Sequence, residues 1–423
     1  MQRLVDAEAL SGGVPSGTAG VRTLIDRHEA WRRSTINLIA SENRISAAVR
    51  SVIDSDLEGR YASYPGRDLQ QRSYRGNRYI VEIEEEAAAL ARDVFGARYV
   101  ELRPLAGHIA GIAVIMGLCR PGDSVLEIGN DGGGHLLCAR LIQAPAAAMT
   151  VHDIPFDGER YNVDVAATLD LIESTKPRLV IVGSSNFLFP HPVRELVDAV
   201  HDHDGFFAYD GSHVMGFLAA GQFQDPLREG ADVVFGSTHK TFPGPQGGII
   251  FSNRDDIMAS ITTSVRSLVG NHHPSRIPGM VVALLEMKRF GRAYMDAVRV
   301  NAQDLGNALA REGVPCVAVD GRFSDSHCVL ARVTEFGSGT ELALRLEEAG
   351  IITTSTLLPD VQGPQGIRLG VQEITRLGAD EQTIAVIARL IADVIGGRRP
   401  LTSISKDAAA LATSLNTFQY TFD

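Results

Sequence analysis

The stretch DVVFGSTHKTFPGPQGG, residues 232–248, decides how the rest of the sequence is read. It opens on an apolar run of strand length, passes through a polar Ser-Thr-His-Lys cluster, and closes on glycines and prolines. A lysine in a turn is ordinarily a solvated surface group. Open α/β sheets, however, bind their ligands just beyond the carboxyl ends of their strands, which is where this pattern puts Lys240. The chain has only three other lysines. Lys176 precedes a proline, Lys288 lies in a helical pattern, and Lys406 belongs to the tail. None of these ends an apolar strand.

Thirty residues upstream, GFFAYDGSHVMG (205–216) repeats the arrangement with an acid. Asp210 ends an apolar run and His213 follows three residues later. Taken alone, such an aspartate reads equally well as a helix cap. An aspartate and a lysine at the ends of two strands together suit pyridoxal phosphate (PLP). The lysine supplies the Schiff-base amine, and the carboxylate keeps the pyridine nitrogen protonated so that the ring accepts electrons. A phosphate then needs free backbone N–H groups at a loop-to-helix junction. RPLAGHIAG (103–111), which runs into the apolar IAVIMGLC, fits that need, and NDGGGHL (130–136) is a second glycine-rich loop.

Around these motifs, short apolar runs alternate with helical or loop segments: SVLEI (124–128), RLVIVGSS (178–185), GFFAYD (205–210), DVVFGS (232–237) and GGIIFS (247–252). This alternation predicts an α/β fold with a large, mostly parallel sheet covered on both faces. Earlier, 1–20 reads as a loose Gly/Ser-rich arm, Thr23 to Arg33 as helical, and Tyr79 to Phe95 as an amphipathic helix. Past Met280 a long helix (280–312) leads to strands at CVAVD (316–320), HCVLARV (327–333), ITTST (352–356) and GIRLG (366–370). Helices are expected at 339–349 and 379–396, and the tail reads either as a last helix or as a partly mobile segment. The predicted organisation is an N-terminal arm and helix (1–45), a large cofactor-binding domain (46–280) and a smaller α+β domain (281–423).

The 423 residues carry a net charge of −11, which argues against broad nucleic-acid or anionic-membrane binding. A composition of 44% hydrophobic and 22% charged residues belongs to a globular protein. Four scattered cysteines without a CxxC pair suggest reduced, buried thiols, and no metal site is expected. No apolar leader and no membrane-length apolar run are read, so a soluble, cytoplasmic protein is expected.

LIASEN (38–43), the Tyr/Pro/Gly segment 61–79, PGDSVL (121–126), YDGSHVMG (209–216), GSTHKTFPGPQGG (236–248) and GIRLG (366–370) together resemble the serine hydroxymethyltransferase family. They occur in the family's order over roughly residues 25–400. The resemblance implies the aspartate-aminotransferase-like PLP fold of type I, acting as a homodimer or dimer of dimers with sites at the subunit interface. It implies Lys240 as the Schiff-base lysine and Asp210 on the pyridine nitrogen. His213 would support the ring face and its phenolic oxygen, and Ser185 would lie near that oxygen. Ala106, Gly107 and His108 would form the phosphate loop, with Ser237 and His239 flanking the lysine and Gly132 over the ring. Ser41 and Arg368 would hold the amino-acid carboxylate, which a guanidinium fork suits bidentately. Tyr61 and Tyr74 would reach across the dimer to cofactor and substrate.

Four departures stand out against that pattern. The family's YAEGYPG becomes Tyr61-Ala62-Ser63-Tyr64-Pro65-Gly66, one residue shorter, with a serine where the acid falls, and the next loop is longer. A serine hydroxyl has no proton-donating pKa near neutrality. Gly132 replaces the ring-stacking histidine, leaving space over the ring or letting it be filled from elsewhere, for instance by His108. Ala106-Gly107-His108 replaces an SGS loop. VGNHHPSR (269–276) replaces GGQGGP, and Gln246 an arginine.

The leading reading is a PLP enzyme that cleaves and forms the Cα–Cβ bond of β-hydroxy-α-amino acids, giving glycine and an aldehyde. Without the acid it would work as a folate-independent threonine aldolase or transaldolase, with His135 or a water as base for the β-hydroxyl. Two further readings stay open. One is a tetrahydrofolate-dependent hydroxymethyltransferase for serine or α-methylserine, with Asp68 or Asp131 in place of the missing glutamate. The other is a PLP-binding scaffold without catalysis.

Overall fold

The computed structural model describes residues 17–141, 148–359 and 361–422. Seven strands form the large sheet: β1 (Tyr99–Glu101), β2 (Ser124–Ile128), β3 (Thr150–Ile154), β4 (Leu179–Val182), β5 (Phe206–Asp210), β6 (Val233–Ser237) and β7 (Gly248–Ser252). Their order is β1-β7-β6-β5-β4-β2-β3. The run β6-β5-β4-β2-β3 is parallel, and β7 lies antiparallel between β6 and β1.

β4, β6 and β7 are buried along their whole length. Helices on both faces account for these unbroken apolar runs, as expected for strands that never meet water. Gly107–Leu118 and Asp255–Leu268 pack together on one face. The other face meets the 36-residue helix Arg276–Arg311, itself packed on Arg78–Phe95. A second sheet orders β8 (Cys328–Arg332), β10 (Val361–Gly370) and β9 (Thr354–Leu358) as β8-β10-β9, all antiparallel. Helices Gly339–Glu348 and Glu381–Ile395 accompany it, and Leu401–Ser414 is the last helix.

Two expectations need correction. The first helix begins at Gly17, six residues before the predicted start, so the loose arm read over 1–20 is already helical from 17 onward. Residues 1–16 of that arm lie outside the described residues. CVAVD forms no strand and contributes only the isolated bridges Cys316↔Ala331 and Val319↔Arg322. The cause is local. Asp320 (φ 50°) and Gly321 (φ 76°) reverse the chain before a ladder can extend, despite the β-branched valines.

The long helix Arg276–Arg311, the segment after β10, the Arg44–Ser46 segment and Thr421 meet at one buried ion pair. Arg376 Nη2 donates to Glu286 Oε2 at 2.5 Å, with both side chains only 1% exposed. Glu286 Oε1 also accepts from Ser46 (2.7 Å) and Thr421 (2.8 Å), and Arg376 Nη1 donates to the Arg44 carbonyl (2.8 Å). Both Glu286 oxygens and both Arg376 terminal nitrogens are bonded, which offsets much of the cost of burying the pair, while Arg376 Nε has no partner among the described residues. Glu286→Gln leaves the Arg376 guanidinium charged and unpaired. A loss of about 3–5 kcal/mol is expected in denaturant unfolding. A loss below ~1 kcal/mol would show that water reaches the pair.

Candidate active site

The register of β5 and β6 sets the frame. Asp210 lies opposite Phe235, so β5 ends there while β6 continues two residues further, to Ser237. Beyond them the chain turns into Gly211–His213 on one side and Thr238–Lys240 on the other. The two turns are stitched together. Thr241 donates its hydroxyl to the His213 carbonyl (2.8 Å) and accepts from Gly216 N (3.0 Å). Asp210 Oδ1 accepts from Ser212 N (2.9 Å), and Ser212 Oγ accepts from Ser237 N (3.2 Å). Asn43, from the LIASEN segment, donates to the Lys240 carbonyl (2.8 Å) and to Tyr294 Oη (3.0 Å).

Lys240 is half-buried. Burial is the largest influence on its ammonium and lowers it; the Asp210 carboxylate raises it and the Arg368 guanidinium lowers it, leaving it at about 8. A substantial neutral fraction near physiological pH is what an amine needs to attack an aldehyde. His239, beside it, is lowered to about 4 by burial and then by Lys240, and its Nδ1 has no partner among the described residues.

Helix Gly107–Leu118 points its N-terminus into this corner. Its cap residue Ala106 has extended backbone and no side-chain capping bond, and the first internal hydrogen bond belongs to Ala110 N. The N–H groups of residues 107–109 therefore remain available, and the helix dipole favours an anion there. Gly107 is required by space. A Cβ would stand 2.3 Å from Ser237 Oγ and 2.8 Å from Ser237 N, so the glycine keeps the strand end and the helix start in contact.

His108, next in the helix, turns towards the NDGGGHL loop. Its Nδ1 is 3.2 Å from His135 Nε2, and the rings meet edge to face. Both imidazoles are held below their ordinary value, chiefly by burial. The charges of Asp210 and Lys240 act on His135 in opposite senses, which brings it into the same field.

Of the two expectations for Gly132, open space and space filled from elsewhere, open space at the residue is not what the packing provides. A Cβ there would meet Ile128 Cγ2 and Phe156 Cδ2, each at 2.8 Å. Gly132 is thus a packing glycine, and the imidazoles that face the cluster are His135 and His108. Ser185 is present, but its hydroxyl already donates to the Gly133 carbonyl (2.8 Å).

Arg368 comes from the small sheet, on β10. Its Nη1 donates to the Ser185 carbonyl (2.7 Å), while its buried Nε has no partner among the described residues. Burial is also what lowers its proton affinity most. An unsatisfied guanidinium N–H this deep is costly unless a carboxylate comes to meet it. Ser41 and His239 line one open cavity of ≈ 940 Å³, which also contains Glu58, Gln246 and Arg276. Tyr61 and Tyr74 are not joined to the Lys240 cluster by any side-chain bond among the described residues. They pair with each other, 5.0 Å between ring centres, and remain about half exposed.

Sequence reasoning passed over Asn43, Ser212, Thr241 and His327. The first three lie inside or beside quoted motifs and were legible as hydrogen-bonding side chains. His327 sits against His213 in space and had no local signal.

An amine at the carboxyl edge of a parallel sheet, a carboxylate at the end of the neighbouring strand, an uncapped helix N-terminus and a spare guanidinium define a PLP site of the fold type I kind. The comparisons agree. The serine hydroxymethyltransferase family model matches residues 16–391. Serine hydroxymethyltransferases of Methanopyrus kandleri and Thermococcus kodakarensis are 41% and 38% identical to the chain, each aligned over 94% of both proteins. The crystal structure of L-threonine transaldolase from Pseudomonas fluorescens, in its internal aldimine state, superposes with a TM-score of 0.88 at 28% identity. That match covers 95% of this chain and 93% of the other. The protein belongs to the serine hydroxymethyltransferase family, and its cofactor is pyridoxal phosphate.

The position of Lys240 near 8 has a kinetic consequence. A lowered pKa means that the neutral amine is gained at lower pH than for a free lysine. The rate at which cofactor-free protein captures PLP should therefore rise with pH and level off above about 8. A rate still climbing in proportion to hydroxide well beyond that value would place the capturing amine in water.

Proposed function

We propose that this protein cleaves and forms the Cα–Cβ bond of β-hydroxy-α-amino acids without tetrahydrofolate, as a threonine-type aldolase or transaldolase. The observation that carries this reading is Ser63. It occupies the place of the family's acid, and its hydroxyl is spent on the Gly270 carbonyl of its own chain. Nothing at that position can give a proton to a one-carbon carrier. The carboxylates considered as replacements do not compensate. Asp68 is exposed and accepts from Gln70 N (2.9 Å) in its own turn, and Asp131 is exposed.

The cofactor supplies an electron sink for the negative charge left at Cα. The chain's own residues do the rest. Arg368, with Nε unspent, and Ser41 bind the substrate carboxylate and so fix which bond at Cα stands across the ring. His135 takes the β-hydroxyl proton. Burial keeps it neutral near physiological pH and hence able to accept, and His108 holds the ring from behind at 3.2 Å. The aldehyde leaves, and glycine is the other product; capture of a second aldehyde before glycine departs gives the transaldolase outcome.

The protein works, on this proposal, as a cytoplasmic homodimer or dimer of dimers. The exposed Tyr61–Tyr74 pair is presented to the partner's site. The large and small sheets serve as cofactor and substrate-gripping domains joined by Arg276–Arg311.

A second reading, a folate-dependent hydroxymethyltransferase for serine or α-methylserine, is favoured by the names of the relatives and by one residue. Glu58 lines the cavity that also holds Ser41 and His239, where it accepts from Ser275.

Aldehyde and glycine release should be followed from threonine and from serine, each with and without tetrahydrofolate. Threonine cleavage at full rate without folate is expected, with Glu58→Gln changing it less than about threefold. Turnover seen only with folate, and lost in Glu58→Gln, would establish the second reading instead.

A further inference from the structure

His213 follows Asp210 by three residues and is buried. Its Nδ1 lies 3.2 Å from Nε2 of His327, the residue just before β8, and the two rings stack with centres 5.3 Å apart. His327 is fully buried, and its Nε2 is also 3.1 Å from the Ala40 carbonyl. Its other nitrogen, Nδ1, has no partner among the described residues.

These contacts settle where the protons sit. A carbonyl oxygen only accepts, so the His327 nitrogen facing Ala40 must carry the hydrogen. The reverse tautomer would set two lone pairs against each other and bury an unpaired N–H, the costlier error. Burial keeps both rings well below the ordinary histidine value, so each is neutral and carries one hydrogen. With its single hydrogen on Nε2, His327 offers no acceptor to His213. The His213 nitrogen facing it must accept, and that ring's own hydrogen goes to Nε2.

We infer that His327 is a positioning residue, which locks His213 as the Nε2–H tautomer and turns that N–H donor towards the cofactor. The Ala40 carbonyl anchors the relay one residue before Ser41. The seat of the substrate carboxylate and the tautomer of the ring-facing histidine are thus set by the same imidazole. Nothing in this inference depends on whether folate is used. It rests only on the PLP site at Lys240.

The test is ¹⁵N NMR of holoenzyme labelled at histidine, with the His213 signals identified by their absence in His213→Gln. The parent protein should show a pyridine-like Nδ1 and a pyrrole-like Nε2 for His213. His327→Leu, which removes the donor, should lose this signature and shift the cofactor's absorption band. His327→Gln, whose amide N–H reaches a similar point, should restore both. A pyrrole-like His213 Nδ1 in the parent, or an unchanged signature in His327→Leu, would overturn the inference. If the leucine variant fails to fold, the parent spectrum alone decides between the two tautomers.

Discussion

The rest of the site depends on a shortage of negative charge. Lys240 and Arg368 are both drawn out of water far enough for burial to be the main influence on each. The carboxylate whose field opposes this at Lys240 is Asp210. The uncapped N-terminus of Gly107–Leu118 adds further positive potential. Holding cations without matching anions costs stability, and proteins tolerate it where a ligand completes the balance. On the proposed reading, a cofactor phosphate at the helix and a substrate carboxylate at Arg368 would be the two anions that complete the balance, and the orientation of substrate would come from the same deficit.

Such a cavity holds its shape only if its walls come from elements that cannot drift apart. The sheet supplies one wall through the register of β5 on β6. Asn43 pins the N-terminal segment to the Lys240 carbonyl, and Thr241 ties the lysine turn to the aspartate turn. The small sheet brings Arg368 against Ser185 and, through His327, touches Ala40 and His213. Behind them Glu286 and Arg376 join segments that are far apart in sequence. The polar network therefore specifies the geometry, while the surrounding apolar core provides the bulk of the stability.

Much of this was legible in the sequence because its signals are local. Lys240 and Asp210 each end an apolar run, and strand ends in a parallel sheet have fixed chemical meaning. The uncapped helix start proposed for the phosphate was legible from Gly107 at a loop-to-helix junction, although the reason for that glycine, contact with Ser237, was not. What the sequence hid is tertiary. His327 lies 114 residues from His213 and looks like any core histidine at a strand start. Gly132 reads as an absent side chain, whereas the fold fills that space with Ile128 and Phe156. CVAVD has the composition of a strand, but the turn at Asp320-Gly321 ends its pairing. Periodicity reports what a segment favours, and its neighbours decide what it does.

The central claim is that Lys240 is the amine around which this charge balance is built. Borohydride reduction of the holoenzyme, followed by peptide mapping, tests it directly by leaving the pyridoxyl group on whichever lysine held the cofactor. The account predicts a single modified peptide containing Lys240. A pyridoxyl group on Lys176, Lys288 or Lys406, with Lys240 unmodified, would contradict it.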